Sequence, residues 1–73
     1  MNINVQLGMR IAYLRKQKGW SQEVLSFESD INKNYLSDLE RGRRNPSLKI
    51  LNKVATAFGI DLETLFKGIS PII

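Results

Sequence analysis

Residues 22–40, QEVLSFESDINKNYLSDLE, decide how the rest of the 73-residue chain is to be read. The stretch opens with a helix start signal: Ser21 is suited to cap, and Gln22 and Glu23 follow in the first turn, where a carboxylate meets the positive end of the helix dipole. Val24 and Leu25 lead the apolar face, and Ser26 is small enough for another helix to cross closely. Asp30 is expected to turn the chain sharply. Asp and Asn tolerate the left-handed conformation better than other residues bearing a Cβ, although glycine does so at lower cost. Asn32 then caps a second helix, with Ile31 outside it and Leu36 and Leu39 turned inward at helical spacing. The opposite face carries Lys33, Asn34, Ser37, Asp38 and Arg41, and the basic run Arg41, Arg43, Arg44 follows directly.

These residues resemble the helix-turn-helix of the phage-repressor and Cro-like (XRE) family. Gln22 opens the motif, Ser26 is its small residue, Asp30 its turn, and Leu36 and Leu39 its apolar pair. The continuation LERGRRNPS, residues 39–47, is similar to the family's exit from its recognition helix, and the likeness runs over residues 7–66. Two positions depart from the pattern: Ser26 stands where Ala is commonest, and Asp30 where Gly is. The resemblance implies an all-α, compact five-helix, lambda-repressor-like DNA-binding domain with the motif at about 22–41, and a partner that is double-stranded DNA. It also implies a partly buried, bidentate ion pair between Arg15 and Glu40, joining the first helix to the recognition helix. The alternative is that both are solvated charges.

Composition narrows the function classes independently. A chain of 73 residues is expected to be one domain, 1–73, with a tail at 67–73 and a core that is marginal unless its helices are well packed or it oligomerises. Hydrophobic residues at 42% and charged residues at 25% describe an ordinary globular protein. With neither cysteine nor histidine, the chain lacks disulfides, thiolate nucleophiles, imidazole bases and the usual zinc ligands. No metal, cofactor or small-molecule ligand is expected, and an enzyme is the weakest reading, since no catalytic cluster emerges from the carboxylates, lysines and hydroxyls that remain. There is no apolar run of bilayer length, and the opening MNINVQ lacks a basic segment followed by an apolar one, so no membrane partner and a cytoplasmic location are expected. The net charge of +4 is unevenly spread: residues 1–20 carry +4, 21–31 carry −3, 32–46 carry +2 and 47–73 carry +1. Positive charge therefore frames the motif on both sides, a pattern that suits a polyanion and is also met in proteins that bind none.

Leu7, Ile11 and Leu14 fall on one helical stripe, which predicts a first helix over about 5–18, ended by Gly19. Trp20 is expected to plug the corner before the motif, with stacking on a base as the alternative. Phe27 is out of place on its helix and is expected against Ile3 and Val5. Ser47 caps a fourth helix carrying Leu48, Leu51, Val54, Ala55 and Phe58, which stops at Gly59; Asp61 caps a short fifth with Leu62, Leu65 and Phe66. The apolar tail, Ile69 to Ile73, reads as part of a dimer contact made of Ile50, Phe66, Ile69 and Ile72. The other reading folds it back on its own domain.

Roles in the implied complex divide by chemistry. Gln22, Arg10, Arg41, Arg43, Arg44 and Asn45 are phosphate candidates, each alone also readable as a solvated surface group. Base reading falls to Lys33, Asn34, Ser37 and Asp38, with Tyr35 either at the margin of that face or in the core. Lysine suits guanine O6 and N7, and asparagine suits adenine N6 and N7. Asp38 either accepts from cytosine N4 or orients Lys33 or Arg41. The function implied is a sequence-specific transcriptional regulator, acting as a homodimer on a pseudo-palindromic operator. The run YLSDLERGRRN, residues 35–45, resembles restriction-modification controller proteins in particular; a phage-type repressor or an antitoxin-like regulator fits nearly as well. An adaptor using the fold for protein contacts alone is the reading from another class, disfavoured by the arginines beside the polar face.

Overall fold

The computed structural model describes residues 2–70. Over them the chain forms five helices and no strand: α1 (Ile3–Gln17), α2 (Gln22–Ser29), α3 (Lys33–Glu40), α4 (Leu48–Phe58) and α5 (Leu62–Leu65). Each begins at a side chain that satisfies otherwise free N–H groups of the first turn. The Ser21 hydroxyl accepts from the Val24 N–H at 3.1 Å, Asn32 from those of Asn34 and Tyr35 at 2.8 and 3.2 Å, and Ser47 from Ile50 at 3.2 Å. Asp61 accepts from Thr64 at 2.8 Å, which holds its carboxyl below the ordinary carboxylate range. Asn2 caps α1 in the same way, so that helix starts at Ile3, ahead of the point where its apolar stripe becomes legible.

Asp30 adopts the left-handed conformation, φ 55°, alone among the described non-glycine residues. The turn it makes is fastened twice. The Ile31 N–H donates back to the Ser26 carbonyl at 3.2 Å, and the Ser26 hydroxyl donates to the Ile31 carbonyl. Serine at position 26 thus supplies a bond that alanine cannot, across a turn that lacks glycine's freedom.

Leu25, Leu36, Leu39, Ile11, Val54 and Leu65 are sealed inside a single cluster. Complete burial of such a side chain contributes about 1.5 to 3 kcal/mol. α1 crosses the carboxyl end of α3 at Gly8, where an added Cβ would lie 2.5 Å from the carbonyl oxygens of both Leu39 and Glu40. Gly42, at φ 75°, repeats the close approach just beyond α3: its Cβ would meet Val5 Cγ2 at 2.7 Å. The backbones themselves are therefore in contact here, and α3 has one permitted position against α1. Trp20 closes the corner before α2, its ring stacked on Phe58 with centroids 5.9 Å apart.

One expectation is corrected. Phe27 does not pack on Ile3 and Val5; it is 82% exposed. The fourth helix carries Leu48 as expected, in its first turn, where the side chain is 68% exposed. Ile50 and Ile69, expected at a dimer contact, are half-buried against the domain's own core. The tail folds back as far as it is described: the Gln6 amide donates to the Ser70 carbonyl at 3.0 Å, and its oxygen accepts from the Ser70 N–H at 2.9 Å. Ile72 lies outside the described residues. No helix among the described residues is long and apolar enough to cross a membrane.

Candidate nucleic-acid interface

Because Leu36 and Leu39 are fully buried, Lys33, Asn34, Ser37 and Asp38 are turned toward the other side of α3, at angles the helix fixes. The helix is eight residues long. That is roughly 12 Å, close to the width of about 12 Å of the B-DNA major groove. Lys33 and Asn34 stand exposed at its amino end, Ser37 and Asp38 are partly covered one turn on, and Arg41 is exposed at its end.

Three features fix this face from behind and from the sides. The Arg15 guanidinium donates through Nε to Glu40 Oε2 at 2.8 Å and through Nη2 to Oε1 at 3.0 Å, while Nη1 donates to the Trp20 carbonyl at 2.8 Å. The side chains of the pair are 12% and 7% exposed, and the carboxylate raises the Arg15 pKa further above its ordinary value. Gln22 joins the cluster, donating from Nε2 to Glu40 Oε1 at 3.1 Å, so α1, α2 and α3 meet at one carboxylate. On the flanks, Lys33 pairs with Glu23 of α2 at 3.2 Å, and Arg44 pairs with Asp38 at 3.4 Å. The Arg44 guanidinium also lies over the Tyr35 ring, 5.0 Å from its centroid.

Tyr35 is half-buried, its ring packed on the core with the Arg44 guanidinium over it. Arg43, Arg44 and Asn45 are exposed in the segment after α3, and Gln22 is half-buried at the start of α2. Arg10 reaches α5: its Nε donates to the Leu65 carbonyl at 3.1 Å and Nη2 to that of Thr64 at 2.8 Å, with the guanidinium 5.8 Å from the Tyr13 ring centroid. Those donors satisfy backbone of α5, so Arg10 ties α1 to α5.

Two residues escaped the sequence reading. Glu23 was expected only to complement the helix dipole, yet it faces Lys33 across the turn. The other is Gly8, inside α1, where a glycine costs about 1 kcal/mol against alanine and so points to a close approach.

The helix-turn-helix family model matches residues 11–65 of the chain. The control protein C.BamHI of Bacillus amyloliquefaciens is 40% identical over 65 residues, covering 88% of this chain and 80% of that one. The solved structure of the restriction-modification controller protein C.AhdI from Aeromonas hydrophila superposes with a TM-score of 0.82 at 45% identity, over 85% of this chain and 94% of that one. The biofilm regulator SinR, solved in complex with DNA, superposes with a TM-score of 0.78 at 37% identity, over 84% and 98% of the two chains. Fold, motif and sequence agree with one another, and the chain belongs to the XRE-type, Cro-like family of helix-turn-helix DNA-binding regulators.

Proposed function

We propose that the protein is a sequence-specific regulator that binds a pseudo-palindromic operator as a homodimer, acting as the controller of a restriction-modification system. The observation that carries this reading is the outward face of α3, whose polar side chains are held rigidly from behind and followed by exposed Arg43 and Arg44. Lys33 and Asn34 read bases; Gln22, Arg41, Arg43, Arg44 and Asn45 hold phosphates and set the register, with Ser37, Asp38 and Tyr35 completing the face. Phe66 and Leu48 are exposed apolar side chains that a second copy would cover, and two copies place two recognition helices about one helical turn, roughly 34 Å, apart. The controller assignment is supported by the likeness to C.BamHI and C.AhdI across most of the chain.

Selection of bound sites from a random duplex pool tests the reading. Recovered sites should show two inverted half-sites, and binding should weaken with salt on a log–log slope of about −7, as expected for roughly eight phosphate contacts. Sites without symmetry would remove the homodimer, and a pool without enrichment would remove sequence-specific binding.

A further inference from the structure

The helix dipole accounts for a carboxylate in the first turn of α2, but not for the partner that Glu23 takes. Its carboxylate is 76% exposed in the first turn of α2, and it receives the 52% exposed ammonium of Lys33, the first residue of α3, at 3.2 Å. Ion pairs this exposed add little to stability. On a face that meets phosphates, a carboxylate also opposes binding to every sequence alike.

What the pair does offer is a donor and an acceptor side by side at the amino end of α3. The edge of a G·C pair in the major groove is complementary to that arrangement: guanine presents O6 and N7 as acceptors, and the adjacent cytosine presents its N4 amino group as a donor. The Lys33 ammonium has three N–H donors, so the bond to Glu23 leaves two for guanine. A lysine without the carboxylate would bond to any nearby phosphate oxygen equally well, because its ammonium is a compact charge on a flexible stem.

We propose that Glu23 and Lys33 act as one reader of a G·C pair, Lys33 donating to guanine and Glu23 accepting from cytosine N4, which makes Glu23 a specificity-determining residue. The inference rests on α3 being the base-reading helix.

The test compares the sites selected from a random duplex pool by the wild-type chain with those selected by Glu23→Gln, Lys33→Met and the double variant. Both positions are exposed, so all should fold. Glu23→Gln should bind random duplex more tightly and lose about tenfold preference for G·C at one position of each half-site. Lys33→Met should lose preference at that same position, and the double variant should lose no more than the single variants, as expected of side chains acting as a unit. Glu23→Gln tightening binding to all duplexes equally, with every base preference intact, would overturn the proposal. So would losses at two separate positions that add in the double variant. Asn34→Ala separates these failures from a deeper one: if it also leaves every preference unchanged while duplex binding persists, α3 does not read bases, and the proposal falls with the reading beneath it.

Discussion

On its inner side α3 touches α1 backbone to backbone at Gly8, buries Leu36 and Leu39 completely and ends in the bidentate Arg15–Glu40 pair; on its outer side Lys33, Asn34 and Arg41 stand in solvent. The inner side leaves no slack, because a close-packed junction transmits any change of volume into movement of the helix. The outer side contributes little to stability, so its residues can vary without unfolding the domain. Orientation and recognition are thus assigned to opposite faces of one eight-residue helix. Substitutions on the two faces should accordingly fail in different assays.

The junction at Gly8 offers the largest effect. By helix propensity alone, replacing an interior glycine with a larger residue should stabilise α1, by up to about 1 kcal/mol for alanine. Here the new Cβ meets two carbonyl oxygens at 2.5 Å, and backbone cannot swing aside as a flexible side chain would. Gly8→Val is expected to cost more than about 3 kcal/mol, a large part of the roughly 4 to 11 kcal/mol available to a domain of this size. Thermal denaturation should show a broad or absent transition. A variant as stable as the wild type would mean that α1 and α3 are not locked at this point.

Next comes the ion pair. Arg15→Ala strands the Glu40 carboxylate, leaving it the Gln22 amide, and should destabilise by about 3 kcal/mol in urea unfolding. Replacing both partners, as Arg15→Met with Glu40→Leu, should recover most of that loss, because no unpaired charge remains. Yet the double variant should still bind DNA less well, since Gln22 loses the partner that holds it. A change below about 0.5 kcal/mol for Arg15→Ala would show the pair to be an ordinary surface contact.

The sequence disclosed one of these faces better than the other, for reasons of range. Capping by Ser21, Asn32, Ser47 and Asp61 was legible because each cap bonds to a group two or three residues ahead. The Asp30 turn and the inward pair Leu36 and Leu39 were legible for the same reason, since helical spacing is local. Arg15 and Glu40 are 25 residues apart, and their pairing was anticipated through the family resemblance, not from any periodicity. The role of Gly8 depends on the carbonyls of Leu39 and Glu40, and nothing near Gly8 in the sequence signals them. The contact of Arg10 with α5 is hidden on the same account: a basic residue on a helix reads as surface charge until α5 is folded against it, 54 and 55 residues later in the chain. Tail residues Ile69 and Ser70 looked available for a partner because what they touch is distant in sequence: Ile69 packs on the core, and Gln6 lies 64 residues from Ser70.

The outer side inverts the expectation. Asn34→Ala should leave stability within about 0.5 kcal/mol of wild type, because the side chain is exposed and its cap contribution is made by the backbone N–H. In competition binding it should lose about 1 to 3 kcal/mol of discrimination at one base position, while Arg43→Ala weakens all duplexes alike and flattens the salt slope by about one unit. Equal loss by Asn34→Ala on specific and random duplexes would place Asn34 among the backbone contacts instead.

Phe27 gives the smallest effect and the sharpest boundary between the two regimes. It sits on α2 between the buried Leu25 and Ser29, yet the residue is 82% exposed, so it belongs to neither the locked junction nor the polar face of α3. An exposed aromatic leaves most of its apolar surface in water, so burial contributes little of the energy its size suggests. Phe27→Ser should therefore change stability by no more than about 0.5 kcal/mol. Its effect on duplex affinity should be equally slight, because the side chain bears no charge and no groove-reading group. Denaturation and salt-titrated binding measured on the same preparation decide the matter. A destabilisation above about 1 kcal/mol would extend the rigid inner scaffold around α2 to its solvent side, and a selective loss of DNA affinity would carry the recognition face beyond α3.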